Sequence, residues 1–277
     1  MLVHSAYGKS RIRLVQVLRR GGRHHLRELT VAIQFRGDYD ESYTDGDNSA
    51  VLPTDTMKNT VYALAARDGV EEPESFGLAL ARHFMDRNPR LVRVRIDLTE
   101  HLWDRIAGRK REHPDSFVRV GPHTRTAAVQ AGRRRTFVGA GVSNLVILKS
   151  AHSAFSGFLQ DDLTTLPETR DRLFATSLTA NWRYRSNEID FAAAWPTVRA
   201  TLLNEFSTHH SESVQHTLHA MGQAVLNHVA DVTAIRLVMP NIHHIPFDLA
   251  RFGLENRNEI FVPMEEPHGV IEATLTR

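Results

Sequence analysis

The chain has no cysteine. That excludes disulfides, thiolate nucleophiles and the sulfur-rich zinc and iron–sulfur sites. Any metal centre would have to be built from histidine and carboxylates. Of the sixteen histidines, His24 and His25 ("RHH") lie in a turn-like basic segment beside Gly21 and Gly22, and His209 and His210 ("THH") follow a helical pattern. Neither pair has carboxylates at ligand spacing, and no HExxH occurs. They read as solvated surface residues, and no metal is expected. No apolar run approaches the ~20 residues that cross a bilayer. The opening "MLVHSAYGKSRIR" lacks the apolar stretch of a secretory signal, and the final "ATLTR" is not a peroxisomal address. The expectation is a cytoplasmic protein of a prokaryote with no membrane partner.

Lysine is also scarce. It occurs at positions 9, 58, 110 and 149, whereas Lys and Arg together number 34 against 32 acidic residues. The densest basic runs, "GRKR" near Arg109 and "GRRRT" near Arg133, have no interleaved aromatics of the kind an RNA-recognition strand carries, so no nucleic-acid partner is expected. A lysine kept in an arginine-rich chain is mildly informative. Lysine can lose its proton when desolvated, and arginine in practice cannot. For Lys9 the plain alternative is a cation at a strand end.

What is present suits a globular protein: 277 residues, 42% hydrophobic and 24% charged, enough for one large or two medium domains. "SRIRLVQVLRR" (10–20) and "HLRELTVAIQF" (25–35) alternate with the two-residue period of half-buried strands, joined by a glycine turn. "TMKNTVYALAARDG" is helical, with Met57, Val61, Leu64 and Ala65 on one stripe, and Thr54 and Asp55 where an N-cap belongs. A second helix opens at Pro73 and closes at Pro89. Strand patterns follow in "RLVRVRIDLTEHLW" and from "DSFVRV" to "RTAAVQA". The second half repeats this order. Its last helix carries Val214, Leu218, Met221, Val225, Val229 and Val232, capped by Ser211 or Ser213. "TAIRLVMP" and "GVIEATLTR" close the chain. The spacing predicts an α+β fold of two similar units, 1–132 and 133–277, each an antiparallel sheet with helices on one face. The long Arg, Trp and Tyr side chains of "RLVRVRID" and "LTANWRYR" would occupy the uncovered face, as on an oligomer surface or inside a barrel closed by several subunits.

"VMPNIHHIPFDL" places His243 beside His244 in a run that reads as a strand ending in an irregular edge at its prolines. Neighbouring strand residues point to opposite faces, so at most one of the two does chemistry. Other stretches carry an aromatic (Phe155), an arginine (Arg172), an amide (Gln215) and helix N-termini with open N–H groups. Such a set suits a flat anionic heterocycle: the ring stacks, the guanidinium bonds bidentately, and the amide matches a donor–acceptor edge. Each residue alone has a duller reading: Phe155 in a core, Arg172 in a surface ion pair, Gln215 solvated.

Together "YGK", "DNS…TDTMKNT", "FSGFLQDDLTTLPETRDR", "SVQ" and "PNIHH" resemble the urate oxidase (uricase) family in order and spacing, from Tyr7 to "GVIEATL". The resemblance implies a tunnelling (T-fold) architecture of two ββααββ units. It implies a homotetramer with active sites between subunits, and oxidation of urate by O2 and water to 5-hydroxyisourate and H2O2 without metal or organic cofactor. Carried over, Lys9 and Thr54 come from one chain, and Phe155, Arg172, Val214, Gln215, Asn241 and His243 from its neighbour. Phe155 stacks under the purine, and Arg172 and Gln215 grip opposite edges. The N–H groups of Asp55 and Val214 complete the polar frame, and Ile271 lines the pocket. Asn241 holds dioxygen and then water, with Thr54 beside it. Lys9, Thr54 and His243 form the proton relay. Pro53 before the threonine and Pro246 after the histidines depart from the pattern. The competing readings are a pterin-handling enzyme of the same fold class (cyclohydrolase or aldolase), a non-catalytic module with an arginine-rich surface, and an inactive relative.

Overall fold

The chain is described by a computed structural model that covers residues 2–109, 111–264 and 266–277, with Arg20 as backbone only; Lys110, in the basic run near Arg109, lies outside the described residues. By its internal contacts the chain forms two compact units, Met1–Val142 with Asn181–Trp195, and Ser143–Ala180 with Pro196–Arg277.

In the first unit, strands β1 (Tyr7–Arg20), β2 (Arg23–Gly37), β3 (Leu91–Ala107) and β4 (Glu112–Gly132) form an antiparallel sheet in that order. Gly21 and Gly22, at φ of 56° and 73°, make the tight β1–β2 turn that residues with a Cβ resist. His24, expected in that turn, is already part of β2. The two-residue period is borne out. Leu29, Val31, Ile33 and Phe35 of β2, Val94, Ile96 and Leu98 of β3, and Val129 and Ala131 of β4 are all buried. Wholly burying such a side chain contributes about 2 kcal/mol. A one-residue slip would turn the whole set outward, so the pattern fixes the register.

Helices α2 (Thr54–Asp68) and α3 (Pro73–Arg87) cover this face, α2 over β1 and α3 over β3 and β4. Met57, Val61, Leu64 and Ala65 are the buried stripe, as their spacing requires. Phe84 of α3 meets Phe35 edge-on at 5.1 Å between centroids. Arg93 and Arg95 are exposed on the other face. A five-residue helix, α1 (Asp40–Thr44), was not foreseen; it buries none of its residues and so leaves no stripe in the sequence.

Strands β5 (Thr136–Lys149) and β6 (Phe174–Tyr184) and helix α4 (Phe191–Thr208) open the second half, followed by α5 (Val214–His228), β7 (Val232–Pro246), β8 (Phe261–Met264) and β9 (Val270–Thr276). With α1 and β8 set aside, ββααββ recurs, and the protein is a mixed α+β fold of antiparallel sheet and helices. In the second unit α5 lies on β7 and β9. Val214, Leu218, Met221, Val225, Val229 and Val232 are all buried, although the last two lie beyond the helix.

Strand β7 departs from expectation. It does not become irregular at Pro240 but runs to Pro246, pairing first with β9 over Ala234–Pro240 and then with β8 over His243–Pro246. A proline forfeits one donor. Here the strand continues because the next donor, Asn241 N–H, is taken by Gly269 O at 2.8 Å.

Candidate active site

The first group of site residues lies on β1 and the start of α2. Gly8 sits against β2, where a Cβ would collide with the Ile33 carbonyl, so only glycine fits between Tyr7 and Lys9. Tyr7 pairs with Phe35 and Lys9 with Ile33; the next pair is Ile12 with Val31. Three steps on β1 therefore match two on β2. This is a bulge, and Arg11 within it has the left-handed φ of 58°. Phe35, Ile33 and Val31 are the buried face of β2, so the bulge brings Lys9 to the same side as Ile12. That is the side on which α2 packs.

Helix α2 does not begin as expected. Pro53 (φ −55°, ψ 138°) is the N-cap residue and makes no side-chain cap, while Thr54 is the first helical residue. The proline ring fixes an extended entry, so the helix starts one residue before the side chains that could have capped it. The first intrahelical bond is Met57 N–H to Pro53 O at 3.2 Å. The N–H groups of Thr54, Asp55 and Thr56 therefore have no helical acceptor and carry the positive end of the helix dipole. The Asp55 carboxylate turns back along the helix to Lys58 and to Asn59 Nδ2 at 2.9 Å. Its pKa lies below the ordinary range, chiefly through Lys58, with the nearby charge of Lys9 adding to the effect. The Thr54 hydroxyl has no hydrogen-bond partner among the described residues, and neither does the Lys9 amine. A hollow of about 340 Å³ borders Lys9, lined by residues 6–10 and 32–34 with Arg95 and Asp97.

The second group is held by an irregular segment. Phe155 and Thr169 exchange backbone bonds at 2.8 and 2.9 Å, and Arg172 N–H reaches Ser153 O at 2.8 Å. A parallel bridge joins Ser153 to Ser211. These ties bring Phe155, Arg172 and the start of α5 together. Arg172 stands 5.2 Å from the Phe155 ring centroid. Phe158 stacks on Phe155 at 4.8 Å and 14°. The buried Nε of Arg172 has no hydrogen-bond partner, and burial lowers the guanidinium's pKa. Ser213, one of the two expected serines, is the N-cap: its Oγ accepts from His216 N–H at 3.1 Å. Ser211 instead donates to Ser213 O at 3.1 Å. Val214 is buried at the first helical position, and Gln215 is exposed.

Asn241 and His243 are on β7, and Ile271 faces Met239 across β9. His243 pairs with Met264 and His244 with Pro263, in unbroken strand register. Consecutive strand residues point apart, as expected. His244 Nδ1 lies 3.2 Å from the Ile242 carbonyl. Lys149 is the lysine whose pKa burial depresses, and its amine donates to Phe206 O (3.3 Å) and His209 O (2.5 Å) at the end of α4, a structural position. Among the described residues no three of His, Asp and Glu stand where they could hold a metal ion.

The sequence profile of the uricase family matches residues 5–130 and 138–272. The chain belongs to the uricase family. It is 41% identical over 277 residues to the uricase of Arthrobacter globiformis, covering all of this chain and 90% of that one. It is 34% identical to the uricase of Danio rerio over 281 residues, covering 99% and 94%. The crystal structure of the Arthrobacter globiformis uricase superposes with a TM-score of 0.95, covering 100% of this chain and 95% of that one. The urate oxidase of Bacillus sp. TB-90, at 20% identity and a TM-score of 0.88, shares the fold.

Two features of this candidate site leave no mark in the sequence. Nothing in "KSRIR" marks Arg11 as left-handed, since glycine, the usual signal, is absent. The reach of Tyr7 is equally invisible in "YGK". Its hydroxyl accepts from Leu52 N–H at 3.1 Å, a contact 45 residues away in the chain.

Proposed function

We propose that the protein oxidises urate with O2 and water to 5-hydroxyisourate and H2O2, in purine degradation, without metal or organic cofactor. The observation that carries this reading is Arg172: a half-buried guanidinium over a phenyl face, its Nε unpartnered, beside the open N-terminus of α5. A planar purine anion answers each of these groups. It lies on Phe155, is gripped by Arg172 and by Gln215 at opposite edges, and accepts from the N–H groups of Val214 and Asp55, with Ile271 at its rim.

Urate is electron-rich, and removing a further proton lets it reduce O2 directly. The protein's work is then proton removal, orientation and exclusion of water. Lys9, Thr54 and His243 form the relay, and Asn241 and Thr54 hold dioxygen and then water above the ring. An amine desolvated in a closed site loses its charge and can accept a proton through a hydroxyl, which arginine cannot do.

Two repeats, 1–132 and 133–277, build each subunit. Four subunits close the sheets into stacked barrels, so Lys9 and Thr54 of one chain meet Phe155, Arg172, Val214, Gln215, Asn241 and His243 of its neighbour. The half-open state of each group supports this: Lys9, Thr54, Phe155 and His243 are only half-buried, and Asp55 and Gln215 are exposed. The protein works in the cytoplasm. The test is loss of urate absorbance with peroxide detection, with and without chelator. Turnover unaffected by chelator supports the reading. No loss of absorbance, or turnover that chelator abolishes, overturns it.

A further inference from the structure

Tyr7 lies on the helix-covered side of β1, two residues before Lys9, and Gly8 between them is locked against the Ile33 carbonyl. Its hydroxyl accepts from Leu52 N–H at 3.1 Å. Tyr39, 3% exposed, packs against Tyr7 from inside the core. The rings hold this geometry: Tyr39 meets Tyr7 edge-on at 5.0 Å, and Phe35 meets it at 5.7 Å. Leu52 is two residues before Thr54. The loop leading to α2 is otherwise bonded within itself or to α1, by Ser49 N–H to Asp47, Val51 N–H to Asn48 O and Asp47 N–H to Glu41 O. Among the described residues the Tyr7–Leu52 bond is the one hydrogen bond tying residues 48–54 to β1.

We propose that Tyr7, braced by Tyr39, is a positioning residue that fixes the N-terminus of α2 against β1 and so sets the separation of the Lys9 amine from the Thr54 hydroxyl. This rests on the relay proposed above. Burial raises the pKa of both phenols, so both keep their protons at neutral pH. The brace is therefore a fixed one. A relay through a hydroxyl works only within hydrogen-bond reach, so a loop free to drift breaks proton transfer more than it weakens substrate grip.

The test compares wild type, Tyr7→Phe, Tyr39→Phe and Tyr43→Phe as intact protein, reading kcat, KM for urate and the pH profile of kcat. Phenylalanine keeps the ring contacts. For Tyr7→Phe the expected result is a kcat about tenfold lower, the equivalent of one lost hydrogen bond, with KM within about twofold and the kcat–pH profile displaced. Tyr39→Phe keeps the edge-on ring contact and the Leu52 bond, and stays close to wild type. Tyr43 donates to Ala6 O at 3.2 Å from an exposed position outside these contacts, and its variant matches wild type. A Tyr7→Phe enzyme with wild-type kcat and pH profile overturns the proposal. So does one whose kcat loss comes with an unmoved pH profile and a proportionate fall in melting temperature, which a purely structural role produces. An inactive wild type overturns the functional reading as well, so the two failures are told apart by the parent enzyme.

Discussion

Glu74, in the first turn of α3, is fully buried. One carboxylate oxygen accepts from Arg125 Nη2 at 2.7 Å, and the other has no partner. Arg125 is itself buried; it pairs with Glu72 at 2.5 Å, lies 3.9 Å from Glu100, and stands 5.1 Å from the Trp195 ring. Arg27 joins Glu72 and Glu100 from the other side. Three carboxylates thus share two guanidinium groups inside the first unit. Burial raises the Glu74 pKa from 4.5 to about 7, against the pull of Arg125. Holding that carboxyl ionised in the fold therefore costs about 3 kcal/mol more than in the unfolded chain.

The sign follows from linkage. The folded pKa is above the unfolded one, so the native state holds the extra proton between the two values. This stability is fully present below about 4.5 and is lost as pH rises through about 7. Glu74→Gln imitates the protonated form at every pH. The assay is denaturant unfolding, at fixed protein and salt concentration, at several pH values from 5 to 8. Wild type is expected to lose about 3 kcal/mol relative to the variant across that range, the gap opening with the slope of one proton. Parallel curves for the two proteins would refute the argument and place the ionised carboxylate within a fully compensated network.

Three further outcomes are expected. Lys9→Arg keeps the fold and loses most turnover, because the guanidinium cannot give up its proton; wild-type urate oxidation by this variant would remove Lys9 from the relay. Arg172→Lys exchanges a planar fork for a point charge and raises KM for urate 10- to 100-fold, in line with the roughly 1.5–3 kcal/mol of a hydrogen bond to a charged group; steady-state kinetics reads it. Arg11→Gly relieves the left-handed backbone and raises stability by up to about 1 kcal/mol while kcat falls, because the freed backbone no longer holds Lys9 in place; unfolding and turnover measure the two effects.

Much of the fold could be read from one dimension of the sequence because its signals are local and periodic. The stripes of α2 and α5 are buried at each position their spacing names, and β2 alternates as its apolar residues require. What stayed hidden was set by distant contacts or by side chains that are absent. The strand β8 is four residues long and exists because β7 continues past Pro240 to pair with it. Residues 150–172 have no hydrophobic period, and their order comes from bonds to one another and to Ser211. The kit of ring, guanidinium and amide could be stated from residue types, but no spacing rule chose Phe155 or Arg172 from among thirteen phenylalanines and an arginine-rich surface. The family motifs chose them, and the Phe155–Arg172 contact is what the fold adds.

The parity of β1 makes the same point about mechanism. Ile12 and Leu14 are buried, so strict alternation would carry Lys9, three residues before Ile12, to the uncovered face and away from α2. An amine there could not serve the relay proposed above with Thr54. The extra residue of the bulge reverses that parity, at the expense of a left-handed arginine whose strain is on the order of 1–2 kcal/mol. Glycine at position 11 would relieve the strain, yet it would also widen the choices open to the backbone that aims the lysine. A strained residue two positions from the proposed relay lysine, in a strand otherwise regular from Ile12 to Arg20, is what a chain shows when the position of one amine matters more than local stability.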